Sequence, residues 1–295
     1  MNNKLLISGV LGLGTCMIYT PIHAGEAQAQ SKPNVLIIYT DDMGAGDVSF
    51  LNNGWVKTPN IDKLASGGLI VTNYYSSSPV SSPSRVGLTT GRFPTEMGIN
   101  CYLQTRKGNA ACEQFDYLDA SVPTMAKVMK SAGYTTGHFG KWHMGGGRDV
   151  IDAPQITEYG FDEYISTWES PNPDPVITDS AWIWSRTDQV KRWDRTAYFV
   201  DKTLDFLKRH KGEPCFVNLW PDDMHTPWVP SQKTMDSERT SWTTPPNFKE
   251  VLTEYDKQIG RLMEGLTKLG LEKNTIVIFT SDNGPAPSFQ QMRTN

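Results

Sequence analysis

The amino-acid sequence predicts an α/β fold with a largely parallel central sheet flanked by helices. Two segments, Asn34–Thr40 and Thr275–Thr280, are almost continuously apolar over the length of a strand, which is typical of strands covered on both faces. Segments with helical apolar spacing alternate with the strand candidates, as expected when helices connect parallel strands. The chain has 295 residues, of which 38% are apolar, so it can bury a large core.

The other elements follow from local patterns. We predict further strands at Leu69–Tyr74, Thr135–Phe139 and Phe216–Trp220, and helices at Asn60–Ser66, Val122–Ser131, Thr196–Arg209 and Phe248–Leu269. Thr58 and Pro59 mark the start of the first helix, and Ser121 and Gly133 mark the ends of the second. The last helix has the clearest three- and four-residue apolar spacing, and Gly270 follows it as a stop.

The N-terminus has the pattern of an export signal. Lys4 precedes the mostly apolar stretch Leu5–Tyr19, which is short and interrupted by glycines, so we expect no stable membrane span. Small residues follow, and cleavage after Ala24 or Ala29 would give a periplasmic or secreted protein. Lipid attachment at Cys16 is a weaker alternative, because the preceding Leu-Gly-Thr matches a lipobox poorly.

Composition excludes some classes of function. The formal net charge of -4 argues against a strongly basic nucleic-acid binder. After signal removal three cysteines remain, and they form no CxxC or zinc-ligand spacing. Cys101 and Cys112 are near each other in sequence and could pair in an oxidising compartment, whereas Cys215 lies in an apolar run that predicts burial.

Acidic or acid-amide pairs follow both of the most apolar strands. Asp41-Asp42 follows the first strand, and Asp282-Asn283 follows the other after a single serine. Sites in open α/β sheets form beyond the carboxyl ends of the strands, so neighbouring strands would bring these oxygens together. Their mutual repulsion would favour a hard divalent cation, Ca²⁺ or Mg²⁺. The alternative is that each pair only caps a strand or forms a turn.

The segment around Ser81 has the pattern of a helix start. Pro83 suits the first turn of a helix, so Ser81 or Ser82 would be the cap. A helix N-terminus also binds anions, and a serine there could lie beside a bound oxyanion instead of acting as a plain cap. No GxSxG elbow is present, which argues against a Ser-His-Asp triad.

Two long motifs carry a family resemblance. The run SSPSRVGLTTGR, which begins at Ser81, and the run GYTTGHFGKWH, which ends at His143, closely resemble the two signatures of the type I sulfatases. That family belongs to the alkaline phosphatase superfamily, and the resemblance covers Pro33 to Pro285. The N-terminal pattern gives residues 1–29 as the signal peptide, and the resemblance implies that residues 30–295 are an N-terminal catalytic domain that is incomplete at its C-terminus.

The resemblance implies a modified nucleophile. Ser81 occupies the position that a maturase converts to Cα-formylglycine, so the chain resembles the bacterial serine-type members. One hydroxyl of the hydrated aldehyde would attack sulfur, and the other would let the covalent sulfate leave by elimination. An ordinary serine sulfate ester has no such exit.

The resemblance also implies roles for other residues. The family's metal ligands, usually to calcium, match Asp41, Asp42, Asp282, Asn283 and the modified Ser81. The other catalytic residues of the family match Arg85, Lys141, His143 and His225. Arg85 would orient the diol, and Lys141 would contact the sulfate. His143 would hold the diol and assist elimination, and His225 would protonate the leaving alcohol. Taken alone, the arginine could lie on a helix surface and the others in exposed loops.

The sequence departs from the family at its end. Members have one more sulfate-binding lysine after the Asp-Asn pair and a smaller antiparallel C-terminal subdomain, and neither follows Asn283 here. We therefore expect a C-terminally truncated member.

We expect hydrolysis of a sulfate ester on a carbohydrate such as a glycosaminoglycan. The alternatives are a phosphate or phosphonate monoester hydrolase of the same superfamily and an inactive paralogue that only binds sulfated glycans. Sugar faces stack on indole rings, and the chain has nine tryptophans. The candidates for such stacking are Trp168, Trp182, Trp184, Trp193 and Trp228.

Overall fold

The computed structural model describes residues 32–51, 56–177 and 186–286. The predicted signal peptide, Cys16, Trp182 and Trp184 lie outside the described residues, as does the segment 287–295.

Five parallel strands form one sheet in the described part of the chain. They are β1 (Asn34–Thr40), β2 (Thr135–Gly140), β3 (Glu163–Ser166), β4 (Cys215–Trp220) and β5 (Thr275–Ser281). Their order is β3-β2-β4-β1-β5, and every neighbouring pair is parallel. The predicted fold class is therefore confirmed.

Helices flank the sheet. The α-helices are α1 (Pro59–Ser66), α2 (Ser81–Thr90), α3 (Arg106–Ala111), α4 (Met125–Ser131), α5 (Arg195–Arg209), α6 (Gln232–Asp236) and α7 (Pro245–Leu269). Short 3₁₀ helices lie at Ala45–Asp47, Pro94–Met97, Ile156–Tyr159, Arg192–Asp194, Arg239–Ser241 and Glu272–Asn274. Among the described residues, every helix is too short or too polar to cross a lipid bilayer.

Both faces of the sheet are buried in apolar cores. Leu36 and Ile38 of β1 belong to one core, together with side chains of α5 and α7. Ile37 and Tyr39 alternate with them and belong to a second core, which α2 and α4 cover. Burial on both faces is why β1 has a continuous rather than an alternating apolar pattern.

The predicted strand at Leu69–Tyr74 is wrong. The segment has no strand pairing in the structure, and the side chains of Leu69 and Val71 are 89% and 61% exposed. An apolar run of this length becomes a strand only where a neighbouring strand accepts its hydrogen bonds, and none of the described strands lies beside it.

The start of the second predicted helix is also corrected. The helix begins at Met125 rather than Val122, and the hydroxyl of Thr124, not that of Ser121, caps it by accepting from the Lys127 N–H. Pro123 explains the difference, because the residue before a proline avoids helical backbone angles. The other predicted helices and strands agree with the structure to within three residues at each end.

Gly140, at the end of β2, gives the largest stability effect that we expect from a single methyl group. Its φ is 131°, and a Cβ there would lie 2.0 Å from the carbonyl oxygen of Trp220. We predict that Gly140→Ala lowers the free energy of unfolding by about 3 kcal/mol or more. Urea unfolding measures this, with Gly46→Ala as the control, because no atom lies within 4 Å of a Cβ at Gly46. Equal stability of the two variants would contradict the prediction.

Candidate active site at the carboxyl ends of the strands

The register of β1 and β5 brings the two acidic segments together. Thr40 pairs with Ser281, so the residues that follow each strand start at the same level. The Asp282 N–H donates to the Thr40 carbonyl at 3.0 Å, and the Asp42 N–H donates to Asp282 Oδ1 at 3.0 Å. Ligand oxygens of Asp41, Asp42 and Asp282 all lie within 4.8 Å of one another.

Burial makes it energetically costly to keep the carboxylates of this cluster charged. Burial and the negative charges of Asp41 and Asp42 raise the pKa of Asp282 to about 7, against the opposing charge of Arg85. Burial also disfavours the charged form of Asp41, yet Lys141, His225 and Arg85 hold the pKa of Asp41 well below its usual range. A hard divalent cation would relieve the repulsion among these three carboxylates, because it binds oxygen ligands and favours their charged forms.

Ser81 faces the cluster and does not cap its helix. Helix α2 begins at Ser81, and its N-cap residue, Val80, has no polar side-chain atom that could accept a capping hydrogen bond. Ser81 Oγ lies 3.1 Å from Asp41 Oδ1 and 3.4 Å from Asn283 Oδ1, to either of which it can donate. The predicted capping role of Ser81 or Ser82 is therefore wrong.

Arg85 lies one helical turn after Ser81 and is fully buried. Its Nη2 donates to Asp41 Oδ1 at 3.0 Å and to Asp282 Oδ2 at 2.8 Å, and its Nη1 donates to the Lys141 carbonyl at 3.2 Å. The guanidinium carbon lies 5.5 Å and 5.3 Å from the ring centroids of Tyr39 and Trp220. An exposed arginine on the helix surface is excluded.

Lys141 comes directly after β2 and reaches the same cluster. Its Nζ lies 2.9 Å and 3.1 Å from the two carboxylate oxygens of Asp41, and 3.5 Å from Ser81 Oγ. Its side chain is only 5% exposed, so the alternative of an exposed loop lysine is wrong. Arg85 and Lys141 thus provide two buried cations beside the hydroxyl of Ser81.

His143 is buried, and its Nε2 faces Leu103 and Glu169, which lie outside the acidic cluster. Its Nε2–H donates to the Leu103 carbonyl at 3.0 Å and lies 3.4 Å from Glu169 Oε2. Burial, together with the charges of Lys141 and Arg85, lowers the pKa of His143 to about 4 against the opposing Glu169. Its buried Nδ1 has no hydrogen-bond partner among the described residues, so it retains a lone pair for a proton.

His225 presents its other ring nitrogen. Its Nδ1–H donates to the Thr226 carbonyl at 2.6 Å, which leaves Nε2 on the side of the cluster, 3.7 Å from Asp42 Oδ2. The side chain is 22% exposed. The two histidines therefore offer opposite nitrogens, one buried and one at the edge of the site.

Two site residues have backbone angles that L-residues rarely adopt. Asp42 and His143 have φ values of 58° and 53°. Such left-handed residues cost about 1–2 kcal/mol each, and they concentrate at functional sites. Both residues lie in the short segments that follow strands, Asp42 after β1 and His143 after β2.

Sequence reasoning missed several buried residues around the site. Ser84 Oγ donates to the Asp282 carbonyl at 2.5 Å, and Glu169 contacts His143. Neither has a signal in the sequence, because its partner is far away along the chain. Asp222 and Asp223 did have a signal in the sequence, because they follow the apolar run of β4, and β4 pairs with β1. Like Asp41, they therefore lie beyond the carboxyl end of a buried strand.

The structure also bears on the predicted roles of Trp228 and of the two neighbouring cysteines. Trp228 is fully buried, packs against Phe248 and donates its Nε1–H to the Met224 carbonyl at 2.9 Å, so it cannot stack on a sugar. Cys101 and Cys112 have free thiols in the structure. Burial raises the pKa of the Cys101 thiol, and the neighbouring Cys112 adds to the shift.

The second signature also contains a histidine that we predict to control stability at acidic pH. His138 is fully buried, and burial together with the charge of Arg85 lowers its pKa from 6.5 to about 3. The fold therefore binds the proton more weakly than the unfolded chain. The part of the free energy of unfolding that depends on neutral His138 is fully present above pH 6.5. It is lost as pH falls toward 3, by about 2 kcal/mol at pH 5.

Urea unfolding at pH 5 and pH 7 tests this prediction. The wild type should lose more stability on acidification than His138→Gln, which has no ionisable group at this position. Equal losses in the two proteins would show that His138 does not cause the effect.

Comparison with known proteins agrees with this architecture. The sulfatase family model matches residues 33–293. An N-acetylgalactosamine-6-O-sulfatase of Bacteroides thetaiotaomicron is 29% identical over 95% of this chain and 64% of its own length. The human N-acetylgalactosamine-6-sulfatase is 30% identical over 89% of this chain and 52% of its own length.

A solved structure shows the same fold. A sulfatase from the glycosaminoglycan metabolism of Bacteroides thetaiotaomicron superimposes with a TM-score of 0.71 and 27% identity, over 87% of this chain and 63% of that protein. This chain thus spans about half to two thirds of the length of these relatives. The family model, by contrast, covers nearly all of the described residues. The chain therefore belongs to the sulfatase family.

Proposed function

We propose that the protein hydrolyses a sulfate ester of a carbohydrate, with a formylglycine made from Ser81 as the nucleophile. The observation that carries this proposal is the position of Ser81 Oγ, which lies at the N-terminus of α2 between Asp41 and Asn283, with Lys141 Nζ 3.5 Å away. The serine oxygen stands in for a hydroxyl of the hydrated aldehyde. A maturase in the native host makes this conversion.

We assign the metal to the acidic cluster. Asp41, Asp42, Asp282 and Asn283 supply oxygens, together with the modified Ser81, and Ca²⁺ suits this ligand set, with Mg²⁺ as the alternative. The cation supplies charge stabilisation for the oxygens of the sulfate and of the nucleophile. Arg85, which bridges Asp41 and Asp282, orients these carboxylates and the residue one turn before it.

The remaining residues have complementary roles. Lys141 holds a sulfate oxygen, because its Nζ is the cation beside Ser81 Oγ. His143 accepts a proton at Nδ1 when the covalent sulfate leaves, since Nε2–H is already held by Leu103. His225 protonates the leaving alcohol from Nε2, because Nδ1–H is held by Thr226.

The relatives suggest the substrate class and the compartment. Two of them are named for N-acetylgalactosamine 6-sulfate, so we propose a 6-O-sulfated amino sugar of a glycosaminoglycan as the first substrate to test. We propose export to the periplasm or the medium on the basis of the N-terminal pattern. N-terminal sequencing of the mature protein would locate the cleavage site.

A paired assay tests the proposed function. Protein from the native host is assayed with p-nitrophenyl sulfate and p-nitrophenyl phosphate, and then with N-acetylgalactosamine 6-sulfate. We expect faster sulfate turnover, and mass spectrometry should find an aldehyde at position 81. Faster phosphate turnover would favour the phosphate monoesterase alternative. An unmodified serine with glycan binding and no turnover would favour the glycan-binding alternative.

A further inference from the structure

The loop that carries His225 is fixed by a buried arginine outside the two family signatures. Arg192 lies in the 3₁₀ helix that precedes α5, and its side chain is 2% exposed. Its Nη2 donates to two carbonyl oxygens of the loop, that of Asp222 at 2.6 Å and that of His225 at 3.0 Å. One planar guanidinium group thus holds both ends of the turn between these two residues.

The same turn is closed from within and anchored by charge. The His225 N–H donates to the Asp222 carbonyl at 3.1 Å, so this oxygen accepts from the turn and from Arg192. Arg192 Nη1 also pairs with Asp222 Oδ2 at 2.8 Å. Two hydrogen bonds to backbone carbonyls and one ion pair with the Asp222 carboxylate therefore hold a four-residue segment, at a site where the ions are shielded from water.

The orientation of the imidazole depends on this backbone. His225 Nδ1 donates to the carbonyl of the next residue, Thr226, so this hydrogen bond ties the ring to the loop itself. The contact of Nε2 with Asp42, at 3.7 Å, is too long for a strong hydrogen bond. The position of Nε2 therefore depends on where the loop is held, and Arg192 holds the loop at two of its carbonyl oxygens.

We propose that Arg192 is a positioning residue for His225, acting through the two loop carbonyls. The proposal rests on the proposed function, in which His225 protonates the leaving oxygen. Arg192 does not touch the cluster around Ser81, so its loss should affect the proton-transfer step and not the binding of the metal. This separates it from Arg85 and Lys141, which contact Asp41 directly.

The chain contains a matched control. Arg195 is also buried, and its Nη1 pairs with the same Asp222 Oδ2 at 2.7 Å, but its Nη2 donates to the carbonyl of Ile177, outside the loop. Arg192→Lys and Arg195→Lys therefore perturb the same carboxylate and keep the charge. Only the first removes a planar donor from the two loop carbonyls, because an ammonium group cannot reproduce the guanidinium geometry.

The kinetic test uses aryl sulfates whose leaving phenols differ in pKa. General acid catalysis matters most for poor leaving groups and contributes roughly 10²–10⁴-fold. We expect Arg192→Lys to lower kcat/KM by about 10²-fold for phenyl sulfate and only slightly for dinitrophenyl sulfate, the pattern also expected of His225→Ala. Arg195→Lys should change all substrates by one common factor. A common factor for Arg192→Lys as well would overturn the proposal.

Amide hydrogen exchange gives a second readout that needs no turnover. Arg192→Lys should exchange faster than wild type at the His225 amide, with β4 unchanged, whereas Arg195→Lys should exchange there like wild type. Unchanged exchange at His225 in Arg192→Lys would show that the arginine does not hold the loop. If the wild type fails to hydrolyse any sulfate ester, the proposed function fails, and the exchange comparison still decides whether Arg192 fixes this loop.

Discussion

Replacing Ser81 by alanine is expected to lower sulfate-ester hydrolysis by more than about 10³-fold, because no group remains that can become the nucleophile. The substitution removes one hydroxyl that contacts Asp41 and Asn283, and it leaves the ion pairs of Arg85 and Lys141 with Asp41 in place. Helix α2 has no side-chain cap to lose at this position, so we expect a folded protein. Steady-state kinetics with p-nitrophenyl sulfate, on protein from the native host, measure the effect.

The neighbouring serine provides the control for this variant. Ser82 is fully buried, and its hydroxyl accepts from the Leu103 N–H at 2.9 Å instead of facing the cluster. We expect Ser82→Ala to cost about 1 kcal/mol of stability and to retain turnover within about tenfold of wild type. Ser81→Ala with near wild-type turnover would exclude Ser81 as the source of the nucleophile. Equal losses in the two variants would show that the effect is structural.

Asp41→Asn is expected to have the largest combined effect on stability and metal binding. Asp41 is completely buried and accepts from Arg85, Lys141 and Ser81. Removing its charge leaves the lysine without its carboxylate, and breaking a buried ion pair in this way costs about 3–5 kcal/mol. It also removes one of three clustered carboxylates, so calcium affinity should fall by well over about tenfold.

Calorimetric calcium titration and urea unfolding with and without calcium measure both effects. Calcium at 100 times its Kd should stabilise the wild type by about 2.7 kcal/mol, and the same concentration should stabilise Asp41→Asn far less. Asp188→Asn is the control, since Asp188 is equally buried and pairs with Arg195 at 3.3 Å, away from the cluster. It should lose stability and keep calcium affinity. Undiminished calcium binding by Asp41→Asn would place the metal elsewhere.

The acidic pairs that follow β1 and β5 were predictable from the sequence. Continuous apolar runs before Asp41 and Asp282 predicted two buried strands, and parallel strands direct their carboxyl ends to one edge. The pairing of Thr40 with Ser281 shows that these strands are neighbours in matching register. Asp222 also follows a buried strand, β4, and could have been predicted in the same way. It was not, because Pro221 precedes it and the surrounding segment has the composition of a loop.

Sequence reasoning failed where a residue depends on a partner remote in the chain. The run Leu69–Tyr74 has the composition of a strand but finds no neighbouring strand among the described residues, and it remains exposed. Ser81 satisfies the composition rule for a helix cap, yet its hydroxyl faces Asp41 because the folded chain places β1 beside the start of α2. Local preference is worth about 1 kcal/mol, and tertiary contacts override it.

By itself, the sequence determined the α/β class, the bounds of most elements and the acidic side chains that follow two buried strands. These properties follow from apolar periodicity and from chemistry local to short segments, whereas the cationic candidates Arg85, Lys141, His143 and His225 followed only from the resemblance to the sulfatase family. Only the tertiary structure decided which ring nitrogen each histidine presents, that Arg85 is buried between two carboxylates, and that Arg192 holds the loop of His225. Such details depend on distances between side chains far apart in the chain, and those distances exist only after the sheet has formed.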